Sequence, residues 1–310
     1  MRVFLFCLFA AFCTAPLCAK PVQIPGPQGP LEGEYLLQGA TSRGVLIIPG
    51  SGPVNRDGNL PQTGTETNMY LLLAEGLAAT GLASLRIDKR GMSGSANAID
   101  DANDVTIEAY ARDARDWVNF MAQELDCLWI AGHSEGGLVA LVAAQTPPEN
   151  LCGLILMATP GRPLGPLMLE QLGKASGSDA WIDELRPVIA ALETGSTPDT
   201  SGLPVTLQAL FRPALHPYLH NLFSVDPADV ARDWHGPALI LQGDADIQVI
   251  MRDADLLADT LPQARRITLS GGTHILKAQI PDRPFATYRD PSLPLHPDLL
   301  PAVAAFILSP

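Results

Sequence analysis

Leu128-Trp129-Ile130-Ala131-Gly132-His133-Ser134-Glu135-Gly136-Gly137 is the stretch on which the fold turns. Its first four residues are an unbroken apolar run, the mark of a strand covered on both faces. From Gly136 to Gln145 the chain reads as a helix. Between them stands Gly-x-Ser-x-Gly, Gly132 to Gly136. At a strand-to-helix junction this pattern predicts a sharp turn that lifts the serine out of the sheet edge, with glycines where the two backbones pass closely. The five residues alone are a weak signal; the strand before and the helix after are the context that gives them meaning.

The same rhythm extends outward in both directions. Val45-Leu46-Ile47-Ile48 is a short apolar run stopped by Pro49-Gly50, and Met69 to Thr80 has helical spacing ended by Gly81. Leu82 to Ile87 reads as a strand, and Thr106 to Leu125 as an amphipathic helix with Ile107, Tyr110, Ala114, Trp117, Val118 and Met121 on one face. Leu154 to Ala158 is a further strand. Strands this apolar, alternating with helices, predict an α/β protein with a mostly parallel sheet flanked by helices. Residues 20–33, rich in Pro and Gly, read as an irregular lead-in.

From residue 161 to 235 the rhythm breaks. Leu167–Leu172, Trp181–Leu192 and Leu203–Phe211 look helical, and no strand of comparable quality intervenes. The pattern resumes with the strand Ala238–Leu241, the helix Val249–Thr260, the strand Arg266–Leu269 and a final helix Asp298–Leu308. The expected organisation is a core of residues 20–160 and 236–310 with a helical cap, 161–235, inserted late in the chain. Residues 1–19 carry one positive charge, an apolar stretch and a small residue at Ala19, which reads as a signal for export to the periplasm or beyond. The run is too short, and too interrupted by Pro16, for a spanning helix.

Composition narrows the partners. Of 310 residues 47% are apolar and 17% charged, with a formal net charge of −13. So acidic a chain, without a basic run, is a poor partner for nucleic acid. No Cys/His cluster or phosphate loop appears, so neither metal nor cofactor is expected. Cys127 and Cys152 stand just before two strand-like runs. If those strands are parallel neighbours a disulfide is feasible; two buried reduced thiols are the alternative.

A serine hydroxyl needs a base. Of the six histidines, His274 sits in Ser270-Gly271-Gly272-Thr273-His274, directly after the last apolar strand, where a loop can bring it over the carboxyl edge of the sheet. His133 is read as structural. Asp244 and Asp246 both end the preceding strand; Asp246, three residues past Gly243, is placed to face the histidine, and Asp244 reads as a turn residue. The order Ser134, Asp246, His274 is the one expected for a strand–turn–helix serine site on such a sheet. Oxyanion donors are expected at the backbone N–H of Glu135 and of Ser51, the latter in the loop after Val45–Ile48. Arg56, Asp57 and Arg90 read as ion pairs bracing that loop. Trp181, Leu210, Phe211, Tyr218 and Phe223 are candidate pocket residues of the cap, although core packing accounts for most aromatic residues in such a segment.

With these pieces assembled, the chain resembles the bacterial serine carboxylesterases of the α/β-hydrolase superfamily, in the branch with a Gly-Ser-Gly-Pro-x-Asp-Arg-Asp-Gly loop. Here that loop is Gly50-Ser51-Gly52-Pro53-Val54-Asn55-Arg56-Asp57-Gly58. Asp88-Lys89-Arg90-Gly91, Gly132 to Gly137, Gly243 with Asp246 and Gln248-Val249, His274 with Lys277, and Asp290-Pro291 through Leu295-His296-Pro297 are similar as well. Asn55 and Thr273 depart from the pattern, standing where aspartate and asparagine are usual. The resemblance implies hydrolysis of short acyl esters, small-molecule substrates, through an acyl-enzyme without a metal, with residues 161–235 as a cap. The same machinery serves peptidases and thioesterases. A binding protein on the same scaffold would have no need of all three of Ser134, Asp246 and His274.

Overall fold

The structure is a computed structural model that describes residues 19–37, 40–174, 177–283 and 285–309. The export signal expected at 1–19 lies, apart from Ala19, outside these residues.

Eight strands form one sheet: β1 (Ala19–Pro25), β2 (Pro30–Leu36), β3 (Arg43–Ile48), β4 (Ala83–Ile87), β5 (Cys127–His133), β6 (Leu151–Met157), β7 (Ala238–Gly243) and β8 (Ala264–Leu269). Their spatial order is β1-β2-β4-β3-β5-β6-β7-β8. β1 and β2 pair antiparallel, as do β2 and β4; every later pair is parallel. The mostly parallel sheet read from the sequence is present. The irregular lead-in is not. Residues 20–33 form the β1–β2 hairpin, because the prolines fall where a strand tolerates them: Pro21 on an edge strand, Pro25 at a strand end, Pro30 at a strand start. The hairpin buries Ile24, Leu31, Tyr35 and Leu36.

Side chains alternate across each central strand. Val45 and Ile47 of β3, Ile155 and Met157 of β6, and Leu239 and Leu241 of β7 face α1 (Met69–Ala79) and α10 (Leu299–Leu308). Leu46, Ile48, Leu154, Leu156 and Ile240 face the other way, toward α2 (Ile107–Met121), α3 (Glu135–Ala144) and α9 (Met251–Thr260). Each such side chain contributes about 1.5–3 kcal/mol on burial, which is why the strands read as solid apolar runs rather than alternating ones. The expected start of α2 is present: the Thr106 side chain accepts the Ala109 N–H at 3.0 Å.

β3 has β4 on one side and β5 on the other, so the chain reverses direction across the sheet between them. The loops after β3 and β5 therefore part at the carboxyl edge and leave a crevice, the usual place for a ligand in an open α/β sheet. Between β6 and β7 lie α4 (Leu164–Gly173), α5 (Ile182–Glu193), α6 (Val205–Leu210), α7 (His216–Ser224) and α8 (Pro227–Ala231). α4, α5 and α7 pack on one another, while α8 packs on α3 and α9. The sequence reading missed α7, whose Pro217 sits in the first turn, where a missing N–H costs nothing. At the amino edge of the sheet a disulfide joins Cys127 and Cys152, with Cα atoms 5.5 Å apart, so the alternative of two separate thiols is set aside. Among the described residues no helix is long and apolar enough to cross a membrane.

Candidate active site

Ser134 occupies the turn between β5 and α3 with φ 54° and ψ −124°. This is a strained backbone for a residue with a side chain. Two close approaches hold it there. A Cβ on Gly132 would strike the backbone of Gly136, and one on Gly136 would strike the carbonyl oxygens of Ile48 and Pro49. The turn thus fits only with glycine on both sides. Its N–H is used, donating to Met157 O of β6 at 2.9 Å.

Asp246 lies beyond β7 and His274 beyond β8. His274 Nδ1 is 2.9 Å from Asp246 Oδ2. The other carboxylate oxygen accepts the N–H groups of Gln248, at 2.8 Å, and Val249, at 3.0 Å. Burial alone would raise the Asp246 carboxyl, but His274 and these two backbone donors outweigh it and hold the acid below its usual range. Asp244 is the turn residue expected: its carboxylate accepts the Gly271 N–H at 2.6 Å, tying the end of β7 to the histidine loop.

His133 is structural, as read. Gly50 N–H donates to the Tyr70 hydroxyl at 3.0 Å, and that hydroxyl lies 2.8 Å from His133 Nδ1. His133 Nε2 lies 2.8 Å from His274 O. A carbonyl can only accept, so Nε2 carries the proton and Nδ1 accepts from Tyr70. Burial, with His274 nearby, pushes His133 down to about 3, in keeping with a neutral ring. One histidine thus links the loop after β3 to the loop that carries His274.

Ser134 and His274 share the wall of a cavity of about 830 Å³ at the crevice, together with Gly50, Ser51 and Glu135. Asp246 and His274 are in direct contact; among the described residues Ser134 Oγ makes no hydrogen bond to His274, a contact that in ligand-free sites often tightens only with substrate. Leu164, Leu167 and Met168 of α4 and Leu215, Leu219 and Leu222 from or beside α7 supply apolar wall. Of the five cap residues named from sequence, Leu210 and Tyr218 line the cavity, whereas Phe211 and Phe223 are buried in the hydrophobic core and Trp181 packs against it. Among the described residues no group of three or more His, Cys, Asp or Glu side chains is gathered to hold a metal.

The loop after β3 is braced by ion pairs, though not by all those expected. Arg56 pairs with Asp88 at 2.6 Å and with Glu32 at 3.2 Å, and Asp57 pairs with Arg86. Arg90 does not join them. It runs to the α2 side and holds Asp113. Asn55 keeps the loop's turn, its side-chain oxygen accepting the N–H of Asp57 and of Asn59, a role open to asparagine and aspartate alike.

The sequence reading used only the backbone of Glu135. Its side chain is fully buried and lies 3.0 Å from Lys89 Nζ. Burial would raise its acid, but Lys89, the Tyr218 hydroxyl and the Ser51 side chain together hold it below the usual range. Lys89 stands just past the end of β4, at the same sheet edge as Ser134, which was the signal available.

A family model described as serine aminopeptidase, S33, matches residues 63–178, a span from before α1 through Ser134 to just beyond α4. Esterase EstD of Thermotoga maritima is 26% identical over 217 residues, 68% of this chain. The chain spans about half the length of that relative, 48%. Among solved structures, a serine hydrolase of Cycloclasticus zankles superposes with a TM-score of 0.60 at 15% identity, over 93% of this chain and 98% of the other. A hydrolase of Pseudomonas aeruginosa gives 0.54 at 18% identity, over 93% and 98%. With an eight-stranded, mostly parallel sheet between two helical layers and hydrolase structures as its neighbours, the chain has the α/β-hydrolase fold.

Proposed function

We propose that the chain hydrolyses carboxylic esters of small acyl groups through an acyl-enzyme on Ser134. His274 takes the Ser134 proton as Oγ attacks the carbonyl carbon, and Asp246 orients the imidazole and stabilises its charged form. The N–H groups of Ser51 and Glu135 donate to the oxyanion. Collapse of the tetrahedral species expels the alcohol, which takes the proton from His274. Water, deprotonated by His274, then releases the acid and restores Ser134. Residues 161–235 act as the cap that bounds the acyl pocket, and residues 1–19 direct export.

One observation carries this reading: the Asp246–His274 pair opens on the same cavity as a serine held on a strained strand-to-helix turn. The esterase name of the Thermotoga maritima relative favours an ester substrate. The test is hydrolysis of p-nitrophenyl esters of graded acyl length by the parent protein and Ser134→Ala. Hydrolysis of short chains that vanishes in the variant is expected. Equal rates in both would remove Ser134 as nucleophile.

An aminopeptidase is the second reading, because the matching family model carries that description. Binding a free amine calls for an unpaired carboxylate on the cavity wall. Among the described residues the only lining carboxylate is Glu135, which Lys89 neutralises. In the cap, Glu170 is occupied by Arg162 and Lys174. These observations favour the ester.

A further inference from the structure

The Glu135 carboxylate joins its own helix to Lys89, just past the end of β4, and to the cap at the cavity wall. Glu135 is the residue after Ser134 and the first of α3. Its Oε1 accepts from Lys89 Nζ at 3.0 Å, and its Oε2 accepts the hydroxyl of Tyr218, on α7 of the cap. Lys89 in turn donates to the Gly50 carbonyl oxygen at 2.7 Å, and its ammonium stands 5.1 Å from the centre of the Tyr110 ring. The N–H of Gly50 is held as well, by Tyr70. The peptide units that precede Ser51 are therefore fastened on both sides, and one of the two fastenings runs through Glu135.

This buried network costs desolvation of two charges, which an apolar pair of the same size would avoid. The cost is understandable if the network sets geometry. We propose that Glu135 is a positioning residue that aligns the Ser51 and Glu135 backbone N–H groups with each other and with cap helix α7, so that the seating of the cap and the shape of the oxyanion hole are set together. The proposal rests on the acyl-transfer reading above. Substrate contact with Leu215, Leu219 or Leu222, which line the cavity from or beside α7, would then reach the oxyanion donors through Tyr218. Misplacement of such donors by an ångström costs about 10²-fold in rate. Binding of the ground state, which leans on the apolar wall, is expected to change little.

The test compares kcat, KM and the inhibition constant of a trifluoromethyl ketone, which forms a tetrahedral oxyanion adduct with a catalytic serine. The proteins are the parent, Ser134→Ala, Tyr218→Phe, Glu135→Gln and the charge-balanced double variant Lys89→Met/Glu135→Gln. Tyr218→Phe removes one hydroxyl and leaves the ion pair in place. It is expected to lower kcat about 10-fold and Glu135→Gln about 10²-fold, with KM within about 2-fold, and the ketone should weaken by the same factors as kcat. The double variant should fold more stably than Glu135→Gln yet recover none of the rate. A purely structural role predicts lower melting temperatures with kcat and ketone affinity of the folded protein within about 2-fold of the parent, and that result would overturn the proposal. If Glu135→Gln does not fold, Tyr218→Phe decides alone. Activity that survives Ser134→Ala would instead sink the acyl-enzyme reading, and the oxyanion role of Glu135 with it.

Discussion

Asp246 receives His274 on one carboxylate oxygen, 2.9 Å from Nδ1, and two backbone N–H groups on the other. A carboxylate so held cannot rotate, and the neutral imidazole it faces carries its proton on Nδ1. Asp246→Asn keeps the size of the side chain but removes the charge that favours the imidazolium. The expected outcome is a fall in kcat of about 10³–10⁴-fold with KM little changed, measured on a short-chain ester. The sign of the acid's shift also matters. Because the folded protein holds Asp246 below its usual range, the stability it contributes is present above the unfolded value and lost as pH falls through the lower folded one. Asp246→Asn should therefore flatten the acid limb of a melting-temperature profile below about pH 4.

His133 gives a second pH dependence in a different window. Its ring is kept neutral down to about 3, against 6.5 when free. The unfolded chain thus binds the extra proton first, and stability declines as pH drops from about 6.5 toward 3. The expected loss by pH 3 is on the order of 5 kcal/mol, since one unit is about 1.4 kcal/mol. His133→Gln should lose about 1–3 kcal/mol at pH 7 by giving up part of the Tyr70–His133–His274 relay. It should also melt with a shallower dependence on pH across that window. A variant with the parent's slope would place the acid sensitivity elsewhere.

The central sheet was legible because Val45–Ile48, Leu128–Ala131, Leu154–Met157 and Ala238–Leu241 are buried on both faces and leave unbroken apolar runs. Their order also put Ser134, Asp246 and His274 at one sheet edge. The β1–β2 hairpin was not legible, since proline normally argues against a strand and only the edge position of β1 excuses Pro21. Arg90 was misassigned because the direction of a side chain at the end of β4 decides between Asp113 and the loop after β3, and sequence spacing does not carry that direction. The side chain of Glu135 was overlooked for a similar reason. Its partners Lys89 and Tyr218 are 46 and 83 residues away and meet it only through the fold.

The helical segment between β6 and β7, proposed above as a cap, separates pocket from core in a way that two pairs of variants can test. Leu210 and Leu215 line the cavity, while Phe211 and Phe223 are buried in the hydrophobic core. Leu210→Ala and Leu215→Ala are expected to widen the pocket and move the acyl-length preference toward longer chains. The melting temperature should hardly move for Leu210, which is 38% exposed. Phe211→Ala and Phe223→Ala are expected to cost about 3–5 kcal/mol of stability with the order of preference unchanged. A change in that order from either phenylalanine would mean that the cap core, not its surface, shapes the acyl site.

The Cys127–Cys152 disulfide stands at the amino edge of β5 and β6, at the other end of those strands from Ser134. The two cysteines are 25 residues apart in sequence, so closing that loop restricts the unfolded chain and contributes about 3 kcal/mol. Replacing both by serine should lower the melting temperature by about 5 °C in a chain of this size. Dithiothreitol should do the same to the parent and nothing to the variant. Because β5 is clamped along its length by β3 and β6, the strain at Ser134 does not depend on the disulfide. The ester-hydrolysis rate at 25 °C is therefore expected to be unchanged. A loss of rate in step with reduction, well below the melting temperature, would show instead that the bond holds the serine turn in place through the strand.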